Sequence, residues 1–129
     1  MTIIEQMARW LAAKLDLPVE DTGAGGAVFW GYLPEAPARA VCVYAGELRP
    51  EGDADGTRVQ IVVRSDADGA WPLKTALTIV RLLNDRRDVL FVPDGAYISR
   101  VETERGFEFA GMSDGNRQLY EGYFRVYDC

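Results

Sequence analysis

The clearest β-strand in the sequence is Thr57-Arg58-Val59-Gln60-Ile61-Val62-Val63-Arg64-Ser65. β-Branched residues fill its centre, as is typical of strands in a packed sheet. A second run with strand character, from Ala38 to Ala45, precedes it. The polar loop from Gly46 to Gly56 joins the two runs, so the sequence predicts a long β-hairpin.

The first 15 residues predict an amphipathic helix. Thr2 and Glu5 have the spacing of a capping box, which satisfies free amides at a helix start. The sequence Asp16-Leu17-Pro18 is expected to end the helix. An apolar stripe at helical spacing is formed by Ile4, Met7, Leu11 and Leu15.

A second helix is predicted from Pro72 to about Asn84, because proline suits the first turn of a helix. In the turn before it, Asp66 and Asp68 are interpreted as N-terminal caps rather than an acid–base pair. One face of this helix holds Leu73, Leu77, Val80 and Leu83, and the opposite face holds Lys74, Thr78, Arg81 and Asp85.

The remaining apolar segments complete the prediction. Val89 to Val92 is a short apolar segment that ends at the turn Pro93-Asp94-Gly95. The order is helix, three strands, helix and three strands, which indicates an α+β fold: one domain over 1–129, with a mainly antiparallel sheet and two amphipathic helices packed on it. The other predicted strands are Ala27 to Leu33, Tyr97 to Glu104, Phe107 to Gly111 and Gln118 to Asp128.

Charge and composition exclude several classes of protein. The chain has 20 acidic and 14 basic residues, a net charge of −6, which argues against a surface that grips nucleic acid phosphates. Neither a signal peptide nor a membrane-spanning apolar run is visible. Cys42 and Cys129 lack the spacing of a zinc site and are expected to be free thiols, although a disulfide to the terminus is conceivable.

Catalytic and cofactor motifs are absent from the sequence. The chain has no histidine, which removes the commonest general base and the usual nucleophile partners, so we expect a protein that is not an enzyme and has no cofactor. Gly23-Ala24-Gly25-Gly26 precedes a strand rather than a helix, unlike a nucleotide-binding loop.

An acidic segment before the central strand resembles part of a calcium-binding loop. Glu51, Asp53, Asp55 and Gly56 occupy positions 1, 3, 5 and 6 of that pattern, but position 12 is Val62 instead of the bidentate glutamate. A solvated acidic hairpin tip is therefore the interpretation, and no metal is expected.

The chain resembles the phage tail terminator proteins, also described as minor capsid or tail completion proteins. The resemblance covers about Ile4 to Tyr127. Its features are the N-terminal helix, the segment from Arg58 to Arg64, the helix from Leu73 to Asn84, the strand opening Tyr97-Ile98, and the ending Gly115-Asn116-Arg117-Gln118-Leu119-Tyr120 with Tyr123-Phe124-Arg125-Val126.

The resemblance implies a structural virion protein that is assembled in the host cytoplasm and located at the tail–head junction. Such proteins form a ring, expected to be hexameric, that caps the tail tube, ends its polymerisation and docks onto the head connector. DNA passes through the ring without specific binding. The particle is a virus or a domesticated tail-like particle.

Two regions are predicted to contact neighbouring subunits or the tube. One is the loop from Gly46 to Gly56 with the strand start that follows it, and the other is the exposed side of the last strand, interpreted as an edge strand open to pairing. Aromatic residues and arginine are the types that anchor interfaces. The predicted contact residues are Glu51, Asp53, Asp55, Arg58, Tyr123, Arg125 and Tyr127.

Two other classes of function stay open at this point. The first is another neck or head–tail connector subunit, or a small acidic protein-binding module similar to a toxin-immunity protein. The second is an enzyme that uses carboxylates alone, in which Asp66 is a candidate.

Overall fold

The computed structural model describes residues 1–21, 23, 25–47, 55–66, 69–113 and 115–128. Within these residues the chain forms two α-helices and six β-strands. Their bounds are α1 Ile3–Leu15, β1 Ala27–Trp30, β2 Ala40–Ala45, β3 Thr57–Ser65, α2 Ala70–Leu83, β4 Arg86–Leu90, β5 Tyr97–Ser113 and β6 Arg117–Asp128.

The strands form one sheet in the order β1-β2-β3-β6-β5-β4. The predicted hairpin of β2 and β3 is confirmed, with Val43 opposite Ile61. The expectation of a mainly antiparallel sheet holds for four of the five strand pairings among the described residues. The exception is β1, which pairs with β2 in parallel, with Ala27 opposite Ala40. A four-residue strand is only about 13 Å long, so residues 31–39 suffice to cross back to the other end. The fold is α+β with a mixed sheet.

Several predicted strand bounds also change. β1 ends at Trp30, and β2 begins at Ala40. The two strands predicted around Arg105-Gly106 are one strand, because β5 stays paired with β6 through that point by shifts in register. The short apolar segment at Val89 belongs to β4, which begins at Arg86 and whose arginines lie at the edge of the sheet.

Helix α1 begins and ends as the sequence predicts. The Thr2 Oγ1 accepts a hydrogen bond from the Glu5 backbone N–H at 3.2 Å. Asp16 closes the helix in the left-handed region, with φ of 56°, and its N–H donates to the carbonyls of the last turn. Met7 and Leu11 are fully buried, so the predicted stripe packs on the sheet.

Part of the predicted apolar face of α2 packs on the sheet, since Leu83 is buried and Val80 packs against the core. Leu73 and Leu77 are 49% and 56% exposed, whereas the residues that face the sheet are Pro72, Thr75, Ala76, Ile79 and Leu83. Residues two positions apart lie on nearly opposite sides of a helix, so Leu73 and Leu77 point away from the face on which Thr75 is buried.

The predicted cap of α2 is also different. The N-cap residue is Gly69, which makes no side-chain hydrogen bond. Asp66 instead lies 3.6 Å from the Arg39 Nε in an ion pair, and Asp68 lies outside the described residues. Asp66 is therefore not the N-cap residue of α2.

Both helices pack on the same face of the sheet. Their buried residues share one core with the alternate side chains of the central strands, among them Val59, Ile61 and Phe124. The opposite face has a small apolar cluster at one end, Ala27, Phe29, Ala40 and Cys42, covered by Leu33 and Tyr44. No helix covers the rest of that face within the described residues, and it is the surface on which polar side chains gather.

Candidate assembly surface

Alternation along β3 and β6 separates two kinds of side chain. Val59 and Phe124 point into the core beneath the helices, so their sequence neighbours point to the opposite face. β3 and β6 are paired, with Arg58 opposite Arg125 and Gln60 opposite Tyr123. We define the charged sheet face as the group Arg58, Gln60, Arg100, Glu102, Glu104, Glu121, Tyr123, Arg125 and Tyr127.

Arg125 lies at the centre of this face. Its Nη2 is 3.1 Å from a Glu47 carboxylate oxygen and 3.2 Å from one of Glu104, and its Nη1 donates to the Asp55 main-chain carbonyl at 2.8 Å. Burial lowers the pKa of Arg125, but the Glu104 and Glu47 carboxylates outweigh it and raise that pKa. One guanidinium thus joins β6 to β5 and to both described ends of the β2–β3 connection.

Arginine–tyrosine stacking fixes the neighbouring side chains. The Arg58 guanidinium lies 4.4 Å from the centroid of the Tyr123 ring, and its Nε is 3.4 Å from Glu104. Arg100 lies 5.7 Å from the Tyr127 ring centroid. Cations over aromatic rings attract the ring electrons and hold both groups in place.

The polar side chains of this face are also tied to one another. The Gln60 Nε2 donates to Glu121 at 2.8 Å and to the Tyr123 hydroxyl at 3.1 Å. With three arginines and three glutamates, the charged sheet face is close to neutral overall. Such a surface is ordered before any partner arrives, and it lacks the excess of cations that a nucleic acid site needs.

The structure brings four of the predicted contact residues together. Arg58, Tyr123, Arg125 and Tyr127 all belong to the charged sheet face, and Asp55 joins it through its carbonyl. Glu51 and Asp53 lie outside the described residues.

The comparisons with known proteins bear on the fold as a whole. No family model and no curated protein sequence matches the chain. Among solved structures, one chain in "Virion of native gene transfer agent (GTA) particle" matches with a TM-score of 0.55 at 18% identity, over 99% of this chain and 98% of that chain. The two chains share a fold.

The prediction that the last strand is an edge is wrong. β6 lies between β3 and β5, so its backbone is already paired on both sides and only its side chains are available. Strand order depends on contacts between residues distant in sequence, such as Gln60 with Tyr123, and alternation within one strand does not reveal them.

Sequence reasoning also missed exposed apolar residues. We define the outer arm as Arg105–Ser113, the last part of β5. It lies beyond the residues that pair with β4, the last of which among the described residues is Val101. Phe109 and Met112 on this arm are 56% and 54% exposed. Phe109 lies in the strand predicted from Phe107 to Gly111, but strand character alone does not show that its side chain stays uncovered.

Other kinds of site find little support in the described part of the chain. It contains no group of three or more histidine, cysteine or acidic residues placed to hold a metal ion. None of its helices has the length and apolar character to cross a membrane. Cys42 is a buried free thiol, and Cys129 lies outside the described residues.

Proposed function

We propose that this chain is a structural virion subunit that acts as a tail terminator. In this role copies form a ring, six in number, that caps the tail tube, ends its polymerisation and joins the tail to the head connector. The observation that carries the proposal is the fold shared with a gene transfer agent virion chain over nearly the full length of both chains.

The charged sheet face is the surface we assign to contacts between subunits. Its tyrosines and arginines are the residue types that dominate interface energies. Their stacking and ion pairs are formed within one chain, so little side-chain freedom is lost when a neighbour docks. The proposed role is non-catalytic, since it requires shape and contact only.

The net charge suits a ring through which DNA passes. Six copies at −6 each carry 6 × −6 = −36, and an acidic bore repels phosphates rather than holding them. We place the acidic segment with Glu51, Asp53 and Asp55 at this bore. Changing all three to lysine is then expected to slow DNA ejection, and unchanged ejection kinetics would remove this part of the proposal.

Arrest of tube growth tests the function directly. Purified protein is added to tail tube protein during polymerisation, and tube lengths are measured by electron microscopy. We expect short tubes of uniform length with a cap at one end. The Tyr123→Ser, Tyr127→Ser double variant is expected to leave growth unchecked, whereas Tyr97→Ser, an exposed tyrosine elsewhere on the sheet, is expected to act like wild type.

Two results would count against this role. Tubes that grow equally long with and without the wild-type protein would exclude a terminator. Rings that bind the head connector but never the tube would favour a neck or head–tail connector subunit instead.

A further inference from the structure

A second polar site lies on the same sheet face, at the far end of β3 and β6. It is a cleft of about 310 Å³ lined by Glu35, Arg64, Ser113, Gly115 and Arg117. Arg64 stands opposite Leu119 and Ser113 opposite Arg117 in the sheet, so the two arginines project from neighbouring strands. None of these residues belongs to the charged sheet face.

Arg64 is only 6% exposed, and within the described residues its side chain donates to neutral main-chain carbonyls. The Nη2 donates to Pro37 at 2.6 Å and to Glu35 at 3.3 Å, and the Nε lies 3.4 Å from the Ala38 carbonyl. Arg117 donates through Nη1 to the same Glu35 carbonyl. Two guanidinium groups therefore donate to the same carbonyl oxygen.

The positive charge of this cleft is not balanced within the described residues. Arg58, Arg100 and Arg125 each have a glutamate or aspartate partner, whereas neither Arg64 nor Arg117 forms an ion pair with any carboxylate that the structure describes. Burial and the charge of Arg117 lower the pKa of Arg64, and Tyr44, Cys42 and the Glu35 carboxylate only partly oppose them. A buried cation without a counter-charge is costly.

Donors remain for an incoming anion. Within the described residues, neither the Arg64 Nη1 nor the Arg117 Nη2 donates to another atom. Guanidinium groups bind carboxylates through paired, charge-assisted hydrogen bonds. The cleft thus offers both the charge and the free donors that an oxyanion requires.

We propose that the cleft between Arg64 and Arg117 binds a carboxylate side chain of a second copy of this chain, as a contact within the ring. This inference rests on the proposed function. A second copy brings an excess of carboxylates, 20 acidic against 14 basic residues, while the same excess repels a DNA phosphate chain.

The test uses Arg117→Glu and Arg117→Gln in the full chain, because Arg64 also ties down residues 35–38. Glutamate at position 117 supplies Arg64 with an internal counter-charge. We expect the free subunit to melt at the same temperature as wild type or higher, while ring-sized particles fall about tenfold or more. Arg117→Gln should reduce the amount of ring, while the melting temperature of the free subunit stays that of wild type. Arg87→Glu, on exposed β4, is the control and should assemble normally.

Small anions test the cleft without assembly. Sodium acetate is expected to raise the melting temperature of wild type above that in sodium chloride of equal ionic strength, and to do so much less in Arg117→Glu. Stabilisation by inorganic phosphate but not acetate would overturn the carboxylate assignment. Normal ring formation by Arg117→Glu would overturn the contact and leave the proposed function intact. If the wild-type protein forms no rings, the proposed function is contradicted, and the acetate experiment still shows whether the cleft binds a carboxylate.

Discussion

At the scale of single residues, Cys42 has a strongly altered acidity. Its side chain is fully buried, and burial raises the pKa of the thiol to about 11, although hydrogen bonds with Tyr44 and Tyr32 and the charge of Arg64 act in the opposite direction. Burial also raises the pKa of Tyr44, next to it in the hydrogen-bond network. Both groups are therefore neutral in the folded protein around pH 7.

This acidity has a consequence for stability at high pH. A thiol whose pKa is higher in the folded state contributes stability that is fully present below its unfolded pKa of 9.0 and is lost as the pH rises towards about 11. We expect the free energy of unfolding, measured in urea from pH 7 to 11, to fall above pH 9. Cys42→Ala should fall less steeply, and equal slopes for the two proteins would contradict the assignment.

Arg125 is the second residue whose role can be measured by itself. Its side chain is 17% exposed and pairs with two carboxylates, so Arg125→Met removes one cationic partner from each and should cost about 1–3 kcal/mol of unfolding free energy. The matched control is Arg87→Met, which breaks an ion pair with both side chains about 60% exposed and should cost less than about 1 kcal/mol. Equal costs would show that the charged sheet face is not a fixed network.

At the scale of elements, helix α2 has apolar residues that differ sharply in burial. Leu77 is 56% exposed and Ile79 is fully buried, two positions apart. Leu77→Gln is expected to change the unfolding free energy by about 0.5 kcal/mol or less, whereas Ile79→Ala should cost about 2–5 kcal/mol. Urea unfolding of both variants checks the orientation of the helix, and a Leu77→Gln cost as large as that of Ile79→Ala would reverse it.

The elements also show what the sequence could and could not predict. Local signals located α1, through Thr2 and Asp16, and β3, through its β-branched residues. The predicted face of α2 was wrong at Leu73 and Leu77 because the spacing of the apolar residues favoured them, whereas the buried face includes the polar Thr75 and the small Ala76. Which face of a helix is buried depends on tertiary packing, which the apolar pattern of the helix alone does not determine.

The candidate site was predictable only in part, for a related reason. Alternation along β6 places Tyr123, Arg125 and Tyr127 on one face, which the structure has. The partners of these residues, such as Glu104 and Arg58, come from distant segments of the chain. The two arginines of the Arg64–Arg117 cleft are 53 positions apart in the sequence. Such pairs follow from strand order, which local patterns do not determine.

At the scale of the whole molecule, the fold presents two different faces. Helices cover one face of the sheet, and the other carries the charged sheet face and, beyond it, the Arg64–Arg117 cleft. The charged sheet face is close to neutral within a chain of net charge −6, so copies can approach there with less repulsion than elsewhere. This arrangement is the physical basis of the proposed ring.

Electron cryomicroscopy of capped tube ends tests the central claim most directly. A ring of six copies has a mass of about 86 kDa, from 6 × 14.3 kDa, and we predict sixfold density at the end of the tube with Tyr123 and Tyr127 of each copy within contact distance of the next. Tube ends without this chain, or single copies whose charged sheet face touches no neighbour, would contradict the account.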